Sequence, residues 1–272
     1  MSPLWEHQAS MNLNNTDPVL RWVNRRERAL ELAVSHPSAR ELLQFYAVVL
    51  EFQAEVAVGT VQEVDPRIGI RDQIDYSLPL SCFPRLLRDT IESAPAPLRQ
   101  AAMRLQQQDK SALRQVLQDP SEGPEFDWFF SRASLQPIAE RLQTQLPEST
   151  DHSARLCPAC GSLPQLVILR PEGEGARRFL QCSFCLREWT FRRLLCPYCA
   201  ETNKEKLPYY TVEECKYVRV EACDTCRHYL KSVDLSIDGL AQPLVDEVAL
   251  AALDVWAVEH GYTKIAKNLT GI

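Results

Sequence analysis

The chain has 272 residues, 45% of them hydrophobic, a formal net charge of −6 and a pI near 5.5. That suits a soluble protein with a packed core and allows one large domain or two ordinary ones, while the acidic balance argues against a whole-chain nucleic-acid binder. No segment approaches the roughly 18 apolar residues of a membrane span, and Met1 to Leu20 has neither the basic start nor the apolar run of a secretory signal; the expected location is the cytoplasm, where thiols stay reduced.

In chain order, Asp17-Pro18 suits a helix start, with Asp as N-cap and Pro at the first helical position. Val19, Leu20, Val23, Leu30 and Ala33 supply an apolar stripe, and His36-Pro37 ends it. Ser38-Ala39-Arg40-Glu41 fits a capping box. Leu42, Leu43, Phe45, Tyr46, Val49, Leu50 and Val56 follow at helical spacing to about Ala57, with Gly59 as a stop. Residues 61–80 read mostly as loop. Further helices are predicted over 84–93, 97–108, 111–118, 125–132 and 134–146, punctuated by prolines. Residues 1–150 therefore read as an α-helical domain.

The polar stretch 146–153 lacks periodicity and reads as a linker. Short strand patterns follow at 166–170 and 178–181, around a Gly-rich turn, and at 188–192, 206–211, 218–222 and 229–233. One amphipathic helix over 240–260, stopped by Gly261, closes the chain.

Eight of the ten cysteines fall in four Cys-x-x-Cys pairs: Cys157/Cys160, Cys182/Cys185, Cys196/Cys199 and Cys223/Cys226. Each such turn aims two thiolates at one point, so two turns make a tetrahedral four-sulfur metal site and four turns make two. Sequential pairing leaves 21 and 23 residues inside the two sites, each room for one hairpin. Site 1 would then be Cys157, Cys160, Cys182 and Cys185, and site 2 Cys196, Cys199, Cys223 and Cys226. A nested pairing would instead join the inner pairs across the 10 residues from Leu186 to Leu195. Cys-Pro-x-Cys opens both halves, at Cys157 and Cys196, which suggests a duplicated rubredoxin-like or zinc-ribbon-like module, 151–195 and 196–236, with 237–272 as the closing helix. Modules this small depend on metal for much of their folding free energy. The donor set suits zinc or iron.

The same residues admit two other readings. Zinc ribbons often bind nucleic acid, and Phe179, Trp189, Phe191, Tyr198, Tyr209 and Tyr210 could stack on bases. Residues 155–233, however, hold 13 basic against 9 acidic side chains, and each loaded four-thiolate site adds about −2, so no nucleic-acid partner is expected. An electron-transfer or thiol-redox protein is the other alternative. Cys82 and Cys215 read as free thiols, with Cys215 a candidate exposed thiol. His7, His36, His152, His228 and His260 are scattered, and His228 reads as a solvated strand residue with a supporting role at site 2 as the sharper alternative. No hydrolytic site is evident.

The residues that carry a family likeness are Cys157-Pro158-x-Cys160-Gly161-x-x-Pro164, Cys182-x-x-Cys185-x-x-x-Trp189, Cys196-x-x-Cys199 and Glu221-Ala222-Cys223-x-x-Cys226-x-x-Tyr229-Leu230-Lys231, with Arg21-Trp22, Ser35-His36-Pro37 and Glu259-His260-Gly261-Tyr262 outside them. In these the chain resembles the FdhE-type formate dehydrogenase accessory proteins over nearly its whole length. The resemblance implies a non-enzymatic cytoplasmic maturation factor that associates with the formate dehydrogenase catalytic subunit, without membrane insertion; self-association is left open. It implies an α-helical domain followed by two rubredoxin-like modules, and iron at both sites with zinc as the alternative. The expected fold class is α+β.

Overall fold

The computed structural model describes residues 18–119, 124–213 and 215–271. Asp17, the expected cap of the first helix, and His7 lie outside them. The architecture is α+β as expected: a helical half precedes a sheet that carries both cysteine clusters.

The helical half holds α1 (Pro18–Ser35), α2 (Arg40–Gly59), α3 (Ser77–Ser93), α4 (Ala96–Gln106), α5 (Lys110–Gln118) and α6 (Asp127–Gln143). At its centre is α2, packed against α1, α3 and α6 through buried Leu43, Phe45, Tyr46, Val49, Leu50, Phe52 and Val56. Contrary to the expectation that no segment is apolar enough, Pro37–Gly59 has the length and composition of a membrane span. Those apolar side chains are buried against the neighbouring helices, while Glu41, Glu51 and Glu55 lie on the exposed side. Within the helical half, Arg25 of α1 forks onto Glu140 of α6 at 2.8 and 3.2 Å.

Three local expectations fail. The capping box at Ser38 does not form. Pro37–Ala39 makes a tight 3-10 turn in which Arg40 N–H donates to Pro37 O, so α2 opens at Arg40 with no side-chain cap. The region expected to be loop up to residue 80 already carries the first turn of α3, and Pro84 sits inside that helix rather than at its start. The two helices predicted on either side of residue 133 are one, with Pro137 inside α6. Pro137 has no N–H to give to the carbonyl of Ala133, four residues back. That carbonyl is instead served from another helix: Gln53 Nε2 on α2 donates to Ala133 O at 3.1 Å and reaches Gln136 Oε1 at 3.3 Å. Gln53→Leu is therefore expected to cost about 1–3 kcal/mol, the penalty of a buried carbonyl left without a donor. Urea denaturation would check this, and a change below about 0.5 kcal/mol, typical of an indifferent surface site, would contradict it.

The sheet has seven strands: β1 (Pro164–Glu172), β2 (Gly175–Cys182), β3 (Glu188–Thr190), β4 (Tyr209–Val212), β5 (Cys215–Cys223), β6 (His228–Asp234) and β7 (Thr263–Lys264). Their order is β3-β2-β1-β6-β5-β4, with β7 also on β6. Neighbours are antiparallel except at β1–β6 and β6–β7, which are parallel. The β1–β6 contact, with Leu166 opposite Lys231 and Leu169 opposite Asp234, fuses the hairpin of one cysteine cluster to that of the other.

The helix expected over 240–260 is two short ones, α7 (Pro243–Ala249) and α8 (Ala252–Glu259). Pro243 opens the first. At the break, Lys231 Nζ, wholly buried on β6, takes the carbonyls of Glu247 at 2.5 Å and Leu250 at 3.4 Å. A charged donor rising from the sheet thus serves carbonyls at the end of α7, where a continuous helix would use its own N–H groups. The helical half and the sheet half are tied by Arg28 of α1, which forks onto the buried Asp246 of α7 at 2.7 and 3.2 Å, and by Tyr217 Oη of β5, which donates to the same carboxylate at 2.7 Å.

Candidate metal centres

Each Cys-x-x-Cys pair is built into the same backbone turn. The residue after the second cysteine is left-handed in all four: Gly161 (φ 73°), Leu186 (φ 56°), Ala200 (φ 64°) and Arg227 (φ 57°). In three of them its N–H closes the turn on the carbonyl of the first cysteine: Gly161 to Cys157 O (2.9 Å), Ala200 to Cys196 O (3.0 Å) and Arg227 to Cys223 O (2.8 Å). Backbone N–H groups inside the turns point at sulfur, from Phe184 and Cys185 to Cys182 Sγ at 3.3 and 3.4 Å, and from Tyr198 and Cys199 to Cys196 Sγ at 3.4 and 3.5 Å. These donors favour the thiolate form.

Only the first turn uses glycine, which adopts a left-handed backbone without strain; the only sequence signal for this geometry was Gly161. An L-residue there costs roughly 1–2 kcal/mol. Gly161→Ala, whose new methyl would meet nothing within 4 Å, is expected to destabilise by about that amount. Ala200→Gly, at an exposed position of the same conformation, is expected to stabilise by up to about 1 kcal/mol. Thermal melts of both variants check the pair, and shifts of the same sign would refute the shared turn.

The structure brings the pairs together sequentially, not nested. Cys157, Cys160, Cys182 and Cys185 form one cluster, and Cys196, Cys199, Cys223 and Cys226 the other, with all sulfurs of each within 4.8 Å. The shorter gaps are Cys157–Cys185 at 3.6 Å, Cys160–Cys182 at 3.3 Å, Cys196–Cys226 at 3.8 Å and Cys199–Cys223 at 3.6 Å. A disulfide would hold its sulfurs near 2.05 Å. A tetrahedral ion about 2.3 Å from each sulfur sets them ~3.8 Å apart, so both clusters fit such an ion. Packed this closely, the thiols cannot all ionise alone. Hydrogen bonding to Cys157 leads in holding Cys160 far below the ordinary thiol value and in pushing Cys185 far above it, while burial raises Cys182. At the second cluster burial lifts Cys196 to about 11. A divalent cation would relieve this conflict by favouring the thiolate at every position.

The two clusters sit in different surroundings. Cys157, Cys182 and Cys185 are buried where sheet and helices meet. From α6, Gln136 Nε2 donates to Ser183 O at 3.2 Å, and Arg132 forks onto Lys267 O and Gln165 Oε1. Arg71, just outside, lies over the Phe184 ring at 3.7 Å and donates to Ser162 Oγ at 3.0 Å. At the second cluster Cys199 and Cys226 are half-buried, and Arg227, beside Cys226, donates to His260 O at the end of α8.

Beside it, His228 is not the solvated strand residue expected. Its ring stacks on Tyr198 with centroids 3.6 Å apart and 14° between planes, and Nδ1 lies 2.7 Å from Cys226 O. Cys215 is buried at the start of β5, where burial raises its thiol, so it is not the exposed reactive thiol considered above. Cys82 is half-buried. Of the aromatics, Trp189 and Phe191 are core residues, Trp189 donating to Ala154 O at 2.7 Å; Phe179 and Tyr210 are partly buried, and Tyr198 and Tyr209 are exposed. His152 in the irregular 146–153 segment bonds Thr190 at the sheet edge.

Residues 156–193 match the family described as FdhE, central domain, and residues 194–270 match FdhE, C-terminal domain. The chain is 28% identical over 255 residues to a protein of Aquifex aeolicus named protein FdhE homolog, covering 86% of this chain and 90% of that one. It is 38% identical over 120 residues to the protein of that name from Pseudomonas putida, covering 42% and 37% of the two chains. The crystal structure of the FdhE protein from Pseudomonas aeruginosa superposes with a TM-score of 0.72 at 27% identity, covering 92% of this chain and 95% of that one. The cysteine turns, their pairing, the fold around them and these matches lead to one conclusion: residues 156–270 carry the central and C-terminal domains of the FdhE family, and the chain shares the fold of a solved FdhE protein.

Proposed function

We propose that this chain is a non-enzymatic accessory protein in the assembly of formate dehydrogenase, working in the cytoplasm on the catalytic subunit of that enzyme. The match to the FdhE domains supports the role, and the observation that carries it is the pair of four-sulfur clusters held in one sheet. We assign Cys157, Cys160, Cys182 and Cys185 as ligands of one ion and Cys196, Cys199, Cys223 and Cys226 as ligands of a second. We assign iron to both, with zinc as the alternative donor-compatible ion. Iron in four thiolates supplies a one-electron couple, whereas zinc supplies none. The chain's own contribution is to hold each sulfur set by its backbone turns and N–H donors. In this reading 1–150 is the helical domain, 151–195 and 196–236 are the metal modules joined through β1 and β6, and 237–272 closes the far face.

Tagged full-length chain is expected to retain the formate dehydrogenase catalytic subunit on affinity capture, and cells lacking the chain are expected to have inactive formate dehydrogenase. No capture together with normal enzyme activity in its absence would refute the role.

A further inference from the structure

Beside the second cluster, where the two hairpins meet, the sheet bears a cleft of about 510 Å³, a size typical of ligand sites. Buried Leu169 and Leu230 form its floor, and Arg178, Arg193, Arg219 and Glu221 supply its charged walls. Arg178 and Arg219 both pair with Glu221, at 3.0 and 3.1 Å. Arg178 is otherwise spent on Arg192 O, at 3.0 Å. Arg219 is steadied by Ser232 Oγ at 3.1 Å and lies over the Tyr209 ring at 5.0 Å, and Arg193 is steadied by Ala176 O. Among the described residues, Nη1 of Arg193 and Nη1 of Arg219 have no protein partner.

Three guanidinium groups against one carboxylate leave two positive charges, in a chain whose net charge is −6. The sulfurs of Cys196 and Cys223, negative when they hold an ion, also border the cleft. Cys223 is four residues along β5 from Arg219, ~13 Å at strand rise, beyond the roughly 8 Å Debye length for exposed charges; Cys196 is three residues from Arg193 and offsets part of its charge. The arginine end is therefore locally cationic, with forks already held in place, the arrangement that favours a carboxylate. The rim is different in kind: Leu194 and Tyr209 are 57% and 64% exposed and apolar. A small inorganic anion would use the forks and leave the rim bare.

We propose that this cleft binds an acidic peptide segment of a partner protein, a carboxylate side chain seated on Arg193 and Arg219 and its apolar neighbours on Leu194 and Tyr209. The proposal stands independently of the role in formate dehydrogenase assembly.

The test is fluorescence anisotropy of the full-length chain with a labelled, end-blocked Leu-Glu-Phe-Asp-Leu peptide, beside the same peptide with Gln and Asn for the acids. The acidic peptide is expected to bind and the neutral one to bind at least about tenfold more weakly, as befits loss of charge-assisted bonds. Arg219→Gln, and the fully surface variants Arg193→Gln and Leu194→Asp, are each expected to weaken the acidic peptide by about tenfold. The last two are exposed and keep the fold testable should Arg219→Gln not fold. Absence of binding would overturn the proposal, as would equal affinity for the two peptides or indifference to both surface variants. Displacement of the peptide by inorganic phosphate at equal concentration would reassign the cleft to small anions and likewise overturn it.

Discussion

Cys157→Ser is expected to lower bound metal from two ions per chain to one and to destabilise the chain far more than Cys199→Ser, which also removes one ion. The chemistry lost is the same, but the surroundings differ. Cys157, Cys182 and Cys185 are buried in the core shared by sheet and helices, and the turn at Cys182 is bonded to α6 through Gln136 and stacked under Arg71. Structural zinc in small domains contributes about 10–16 kcal/mol of apparent binding free energy, comparable to the whole stability of an ordinary domain, about 5–15 kcal/mol. Without its ion, site 1 leaves a buried set of thiols in the middle of the packing, and loss there is expected to loosen the docking of the helical half. Site 2 has Cys199 and Cys226 half-buried and lies outside the core shared by sheet and helices, so its loss is expected to stay local. Metal analysis of the two purified variants and their thermal melts decide the matter. Two ions retained by either variant would refute the ligand assignment, and loss of both ions by Cys199→Ser would refute the independence of the sites.

Asp254→Ala is expected to cost about 3–5 kcal/mol, the range for removing one partner of a buried ion pair. Asp254, Glu247, Lys231 and Lys264 are all buried under α7 and α8. Asp254 pairs with Lys231, lies 3.1 Å from Lys264 and accepts from Tyr229 Oη at 2.8 Å. The substitution takes one of two buried carboxylates away from two buried ammonium groups. Burial by itself would raise the Asp254 carboxyl, but Lys231 and Lys264 outweigh it and hold the carboxyl below its usual value. A carboxyl depressed in the folded state binds fewer protons there than when unfolded, so its stabilisation is present above the ordinary Asp value of about 3.9 and is lost as pH falls through the lower folded value. Urea melts are therefore expected to separate native and Asp254→Ala chains widely at neutral pH and less on acidification below that value. Equal stability at pH 7 would contradict this account of the break between α7 and α8. Arg67→Ala, which removes a surface ion pair with Asp65, is the control, expected to leave stability unchanged.

What could be read from the residues alone divides along physical lines. The cysteine clusters were legible because a Cys-x-x-Cys turn is local and a hairpin-length gap limits which turns can meet. The α2 stripe was legible because its core face repeats at helical spacing. Pro137 misled because the carbonyl it frees at Ala133 is served by Gln53, far off in sequence, and Pro84 because its helix already begins at Ser77. Lys231 misled in the opposite sense: nothing in the 240–260 pattern announces that a lysine on a distant strand will take the carbonyls there. The parallel pairing of β1 with β6 is a long-range contact between two modules that each look self-contained. The left-handed residues Leu186, Ala200 and Arg227 carry no compositional mark, since glycine stands only at position 161 of the four. His228 was placed by its strand pattern, while its stacking on Tyr198 depends on where two separate turns converge.

The claim on which the rest depends is that the eight paired cysteines hold two metal ions. Elemental analysis with an absorption spectrum of anaerobically purified full-length chain tests it most directly. Two irons per chain, with thiolate-to-iron charge-transfer bands that bleach on reduction, is the predicted result. Two colourless zinc ions would keep the ligand sets and overturn the choice of iron. A metal-free chain with all eight of these thiols open to titration would contradict the claim itself.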